Sequence, residues 1–202
     1  MTGLKANQIH RLQHIYRRKV PAQQIVTQEL ARYLCELSLE IKRQIGVLID
    51  RKGMIEHVVV GDHKSIFLPD LGRSRLAANR LRGLRYVHTH LRGEPFTPDD
   101  MADLAHLRFD VMVAIDVGAD GLPDGARVAS LLPDNSAGKP WDVQNGLPVN
   151  QLEMNFLGFI QALEDEFART QEAYAVGDAR QRAILVSVTA GSKTAAEESL
   201  EE

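Results

Sequence analysis

The sequence predicts an α/β fold, a mixed sheet packed between helices. Three observations predict it. Two segments near the N-terminus repeat apolar residues at helical spacing. A short apolar run, a turn and a second apolar run then read as a hairpin. Further along, two more apolar runs flank a segment that opens with a helix-start signal, giving strand, helix, strand.

Each element follows from its residues. LKANQIHRLQHIYRRK places Leu4, Ile9, Leu12, Ile15 and Tyr16 at helical spacing and ends in basic residues, which suit the negative end of a helix. Pro21 interrupts the pattern. VTQELARYLCELSLEIKRQ restarts it, with Leu30, Leu34, Leu37 and Ile41 on one stripe and Thr27 placed to cap the first turn. IGVLID is a buried strand, Arg51-Lys52-Gly53 a turn, and MIEHVVVGD the returning strand. KSIFLPD reads as a third strand and RYVHTH as another, ending at two histidines. Thr97-Pro98-Asp99-Asp100 is a helix start: a capping hydroxyl, a proline in the first turn, and acids against the positive helix end. DVMVAIDV and RVASLLP are strands. SAGKPWDVQNGLPVNQ is read as a loop from its Gly, Pro and Asn. LEMNFLGFIQALEDEFARTQEAY is a long amphipathic helix. RAILVSVTAG and KTAAEESLEE then read as a new strand and the first turns of a new helix. The expected division is therefore residues 1–178 as one domain and 179–202 as the opening of a second that the chain does not complete.

Composition narrows the function. The 202 residues suffice for one good core, and a net charge of −3 gives no global basic field for nucleic acid. The single cysteine, Cys35, excludes an intrachain disulfide and suits a reducing compartment, so a cytoplasmic protein is expected. No apolar run reaches the roughly 20 residues needed to span a bilayer.

The chemistry is concentrated in VHTHLRGEPFTPDD. Residues i and i+2 of a strand share a face, so His88 and His90 can direct both imidazoles to one point. Asp100 opens the next helix, within reach if the loop folds back. Two imidazoles and a carboxylate form a zinc ligand set with a fourth position for water, the arrangement that generates hydroxide near neutral pH. A second reading stands beside it: histidines exposed at a strand end, and a capping box between Thr97 and Asp100 that needs no metal.

An apolar strand, His-x-His, a loop, Thr-x-x-Asp opening a helix, then an apolar strand: over residues 40–132 this resembles the JAMM motif of the JAB/MPN metalloproteases. The resemblance implies a JAB/MPN-like, cytidine-deaminase-like fold. It also implies His88, His90 and Asp100 as zinc ligands and Thr97 in the place of a serine. Two departures matter. Six residues, Leu91 to Phe96, precede Thr97 where the family has seven. The position matching the family's catalytic glutamate, just before IGVLI, is Gln44. A glutamine cannot take a proton from zinc-bound water, so no catalytic residue is assigned. Glu40 and Glu56 are the acids nearby in sequence. The expectation is a retained fold without peptidase chemistry; an active zinc-dependent peptidase or isopeptidase is the alternative.

A broader resemblance covers essentially the whole chain. GLKANQIHRLQHIYRRKVP, QIGVLIDRKGMIEHVVVGD, FLPDLGRSRLAANRLRGLRYVHTHLRGEPFTPDD and RAILVSVTAGSKTAAEESLEE together resemble the N-terminal part of long-form HflX GTPases. The resemblance implies an accessory domain ahead of the family's own N-terminal domain, and association with the large ribosomal subunit and its RNA. A P-loop requires Gly-x-x-x-x-Gly-Lys-Ser/Thr, and neither SAGKPWD nor TAGSKTA fits. GTP and Mg²⁺ would belong to a part of such a protein outside this sequence.

Arg73, Arg75, Arg80, Arg82 and Arg85 lie in a stretch without acids and are the candidate contacts to RNA phosphates, making an RNA-binding module the third possibility. No aromatic residue interleaves them, so base stacking is not indicated. A solvated loop accounts for the same residues. Cys35 is expected to be buried, and Trp141 to anchor its loop.

Overall fold

The computed structural model describes residues 3–71, 80–133, 138, 140–152 and 155–177, with side chains described to Thr170. The chain divides into two compact units, Met1–Thr170 and Gln171–Glu202. Of the second, only the backbone of residues 171–177 is described. The boundary expected near residue 178, and the strand and helix expected beyond it, lie outside the described residues.

The first unit is α/β. Two helices, α1 (Ala6–Ile15) and α2 (Gln28–Ile41), precede β1 (Ile45–Asp50), β2 (Ile55–Val60) and β3 (Leu84–His90). Then come α3 (Pro98–Leu107), β4 (Val111–Val117), β5 (Pro123–Leu131), β6 (Trp141–Leu147) and α4 (Phe156–Gly177). The sheet runs β2-β1-β3-β4-β5-β6. Only β3 and β4 pair in parallel, joined through α3; the other neighbours are antiparallel.

Caps start the helices as expected. Thr27 Oγ1 accepts the Leu30 N–H, and α2 ends on Lys42 in the left-handed conformation. At α3 the capping box is complete: Thr97 accepts the Asp100 N–H, and the Asp100 carboxylate accepts the Thr97 N–H. Gly53 makes the hairpin turn at φ +86; a Cβ there would meet the Val20 carbonyl oxygen at 1.6 Å.

β3 is buried along its whole length, because helices cover both of its faces. Alternation assigns the faces. Thr89 hydrogen-bonds to Ser38 of α2 at 2.8 Å, and the Arg85 guanidinium lies 4.7 Å from the Phe156 ring of α4. The odd-numbered residues therefore face α2 and α4. Tyr86, His88 and His90 face α3. Leu30, Leu34, Cys35 and Leu37 of α2 join the core, as do Phe156, Ile160, Leu163 and Phe167 of α4.

Three expectations are corrected. KSIFLPD, residues 64–70, is not a strand. Its Pro69, and an Asp62 side chain that caps the N–H groups of Lys64 and Ser65, take the chain away from the sheet. The loop expected at 136–151 contains β6, with Trp141 opposite Leu131 and Val143 opposite Ala129. The long helix starts at Phe156, after a 3-10 turn over Val149–Leu152.

Candidate metal centre

β3 and α3 bring the three expected side chains together. Among the described residues, His88, His90 and Asp100 form the group whose ligand atoms lie within 4.8 Å of one another. The two Nε2 atoms are 3.0 Å apart. Asp100 Oδ1 is 3.7 Å from His88 Nε2, and Oδ2 is 4.0 Å from His90 Nε2. A tetrahedral zinc with metal–nitrogen bonds of about 2.0–2.1 Å holds its ligand atoms roughly 3.3 Å apart. The observed spacings bracket that value, so sub-ångström shifts would close the triangle on an ion. Asp100 Oδ2 already accepts from Thr97 N at 2.7 Å and Thr97 Oγ1 at 2.8 Å, which leaves Oδ1 as the better donor to a metal. The capping box and the ligand set are therefore compatible, one oxygen each.

Hydrogen bonds fix the protons. His90 Nδ1 lies 2.6 Å from the Glu94 carbonyl oxygen. A carbonyl only accepts, so Nδ1 carries the proton and Nε2 presents its lone pair. His88 Nε2 then donates to it, and His88 Nδ1 is left buried without a partner. Complete burial, with His90 beside it, holds His88 well below the usual histidine range and therefore neutral. A metal needs a neutral imidazole with the lone pair on the ligating nitrogen, so binding through His88 Nε2 requires its proton to pass to Nδ1.

Residues around the histidines complete the shape. Tyr86 stacks on His88 with ring centroids 4.7 Å apart and planes 20° from parallel. That stack requires Gly46, the register partner of His88 on β1: a Cβ there would sit 2.7 Å from Tyr86 Cε2. Gly46 escaped the sequence reading, although a glycine inside an apolar strand is the signal of a close approach. Phe96 packs 6.0 and 6.3 Å from the two imidazole centroids. Beside Asp100, a groove of about 450 Å³ runs between residues 64–71 and the first turns of α3, with Ile66, Phe67 and Leu68 on one wall and Asp99 and Asp103 on the other. Burial, helped by Asp100 and Asp99, raises the Asp103 carboxyl.

Gln44 has two acids near it in sequence, Glu40 and Glu56. Gln44 is 3 % exposed, and its backbone extends the β1–β2 ladder, with N–H to Asp62 and carbonyl to Gly61. Counting by twos from Gly46 puts it on the face that carries His88 and His90. Glu40 is turned to α1, where it accepts from Gln8 Nε2 at 3.1 Å and pairs with Arg11. Glu56 is exposed on β2.

The arginine segment divides. Arg73 and Arg75 lie outside the described residues. Arg80 is exposed, and Arg82 is half-buried and donates to the Leu71 carbonyl. Arg85 is corrected: it is 0 % exposed between the sheet and Phe156 and cannot reach a phosphate. Both faces of β3 are covered, so position 85 could not share a surface with the loop before it. Cys35 is buried as expected, and burial pushes its thiol up to about 12, far from a reactive thiolate.

Compared with protein-family models, curated proteins and solved structures, the chain matches none. The functional reading therefore rests on the site itself.

Proposed function

We propose that this chain is a zinc-binding domain of JAB/MPN-like fold that has lost peptidase chemistry and serves as an accessory, contact-making domain. One observation carries the reading: His88, His90 and Asp100 converge on one point. Alternation from Gly46 puts Gln44 on the same sheet face, and the resemblance implies a general base at that position. Zinc held there would keep an open position and acidify a bound water. An amide has no basic lone pair to receive that proton, so hydrolysis stalls at its first step.

The test uses protein purified without chelator. We expect one zinc per chain, lost in His88→Ala, and no cleavage of peptide or isopeptide substrates. Gln44→Glu restores a carboxylate on the correct face and is expected to bring measurable hydrolysis. Cleavage by the unaltered protein would establish the peptidase alternative instead.

The wider setting follows from the resemblance to long-form HflX GTPases: an N-terminal accessory domain of a ribosome-associated GTP-binding protein, acting at the large subunit. The exposed Arg80 supports a phosphate contact. Co-sedimentation with large subunits, weakened by Arg80→Glu and by added salt, is the expected result. Absence of co-sedimentation at low salt would remove that setting and leave the metal centre untouched.

A further inference from the structure

We propose that Arg127, through the loop it clamps, sets the orientation and tautomer of His90 and thereby how tightly the site takes a divalent cation. The proposal rests on the metal reading above. Arg127 is on β5, opposite Ala114 of β4, which pairs in turn with His88. Asp116, two residues along β4, pairs with His90. Arg127 and Asp116 therefore rise on the face that carries the histidines.

The guanidinium divides its donors. Nη1 pairs with the Asp116 carboxylate, and Nη2 donates to the Gly93 carbonyl at 2.8 Å. Gly93, at φ +65, turns the chain between β3 and α3. The next carbonyl, that of Glu94, is the one that accepts from His90 Nδ1. Two residues later Phe96 packs against both imidazoles. Consecutive peptide units are rigid planes joined at one Cα, so fixing the Gly93 carbonyl restricts where the Glu94 carbonyl can point. Arg127 is thus a positioning residue that acts through Glu94.

The consequence is chemical. With the Glu94 carbonyl in place, His90 keeps its proton on Nδ1 and its lone pair on Nε2, where a metal would bind. If the loop is released, only the bond from His88 Nε2 favours that tautomer, and the two rings can exchange donor and acceptor roles, placing the proton on His90 Nε2 instead. A planar fork serves the ion pair and the carbonyl together; a lysine ammonium can keep the pair but has no fixed second donor.

The test compares metal-free wild type, Arg127→Ala and Arg127→Lys by nitrogen-15 NMR of the imidazoles, followed by zinc titration. In the wild type we expect His90 in the single Nδ1–H form. In both variants we expect a mixture of tautomers, and zinc affinity weakened by about 10–100-fold in Arg127→Ala and less in Arg127→Lys. His90 remaining wholly Nδ1–H, with zinc affinity within about twofold of wild type, would overturn the proposal. Should Arg127→Ala fail to fold, Arg127→Lys, which keeps the charge beside Asp116, decides alone. A wild type that takes up no zinc would defeat the metal reading, but the tautomer comparison, made without metal, would still decide the clamp.

Discussion

Thr89, the residue between the two histidines, shows how a single side chain prepares the site. Its hydroxyl accepts the Ile45 N–H at 2.9 Å and bonds Ser38, whose own hydroxyl donates to the Arg43 carbonyl at 2.6 Å. The chain of bonds ties β3 to β1 and to the end of α2, opposite the imidazoles. Thr89→Val would leave buried groups unpaired at a cost of about 1–3 kcal/mol, measurable as a lower denaturant midpoint. Gly46→Ala tests the other face. The new methyl would collide with Tyr86 and disturb its stack on His88, costing about 1–3 kcal/mol and weakening metal uptake. An unchanged unfolding midpoint would show that Tyr86 moves away freely. Arg85 makes the opposite case. Its three guanidinium nitrogens are buried without hydrogen-bond partners, and burial lowers it to about 10 despite Asp110 and Asp50 nearby. Arg85→Met, of similar volume, should leave stability unchanged or raise it. A loss of about 2 kcal/mol or more would mean that the stack on Phe156 outweighs the unpaired charge.

At the scale of elements, α4 shows how an amphipathic helix is held by more than its apolar stripe. Phe156, Ile160, Leu163 and Phe167 recur at helical spacing and are buried. Glu164, on the same helix, accepts from Arg51 at 2.8 Å and from the Leu81 N–H at 3.2 Å, and Arg51 also pairs with the buried Asp110. Burial opposes charge on Glu164, but Arg51 and the Leu81 N–H outweigh it and hold the carboxyl below its ordinary 4.5. A carboxyl depressed in the folded state adds stability above its unfolded value, and that stability fades as pH falls through the folded value. Glu164→Gln should therefore lower the unfolding midpoint at pH 7 and progressively less below about pH 4.5, where the difference shrinks. Asp110 works in the opposite sense, since burial raises it in spite of Arg51. A difference between the proteins that stays constant down to pH 3 would show that Glu164 contributes packing rather than charge.

The elements were legible in the sequence where one local rule decided them. Thr27 and Thr97 are caps because a hydroxyl can reach a free N–H two or three residues on, whatever lies further away. β1, β3 and β4 are apolar runs because both of their faces are covered. β6 was not legible: Trp141 and Val143 alternate, but Gly146 and Pro148 gave the segment a loop's composition, and only pairing with β5 makes it a strand. KSIFLPD was misread for the converse reason, apolar residues with no strand to pair with. The convergence of His88 and His90 could be foreseen from the strand period. The distance to Asp100 could not, because it depends on a loop whose path is set by Arg127, far away in sequence.

For the whole molecule, the three candidate ligands tie the sheet to α3, the helix that carries the chain from β3 to β4. A metal bound only by the folded state therefore stabilises the fold, by about 2.7 kcal/mol at a free concentration 100 times the Kd. For a chain of this size that raises Tm by roughly 5–10 °C. Under the proposed function, Gln44 on the same sheet face would separate binding from catalysis, so metal uptake without turnover is the expected behaviour. The most direct measurement is calorimetric titration of chelator-treated protein with zinc. One site per chain is expected, abolished in both His88→Ala and Asp100→Ala while the fold persists. No heat of binding in the wild type, or a site that survives both substitutions, would contradict it.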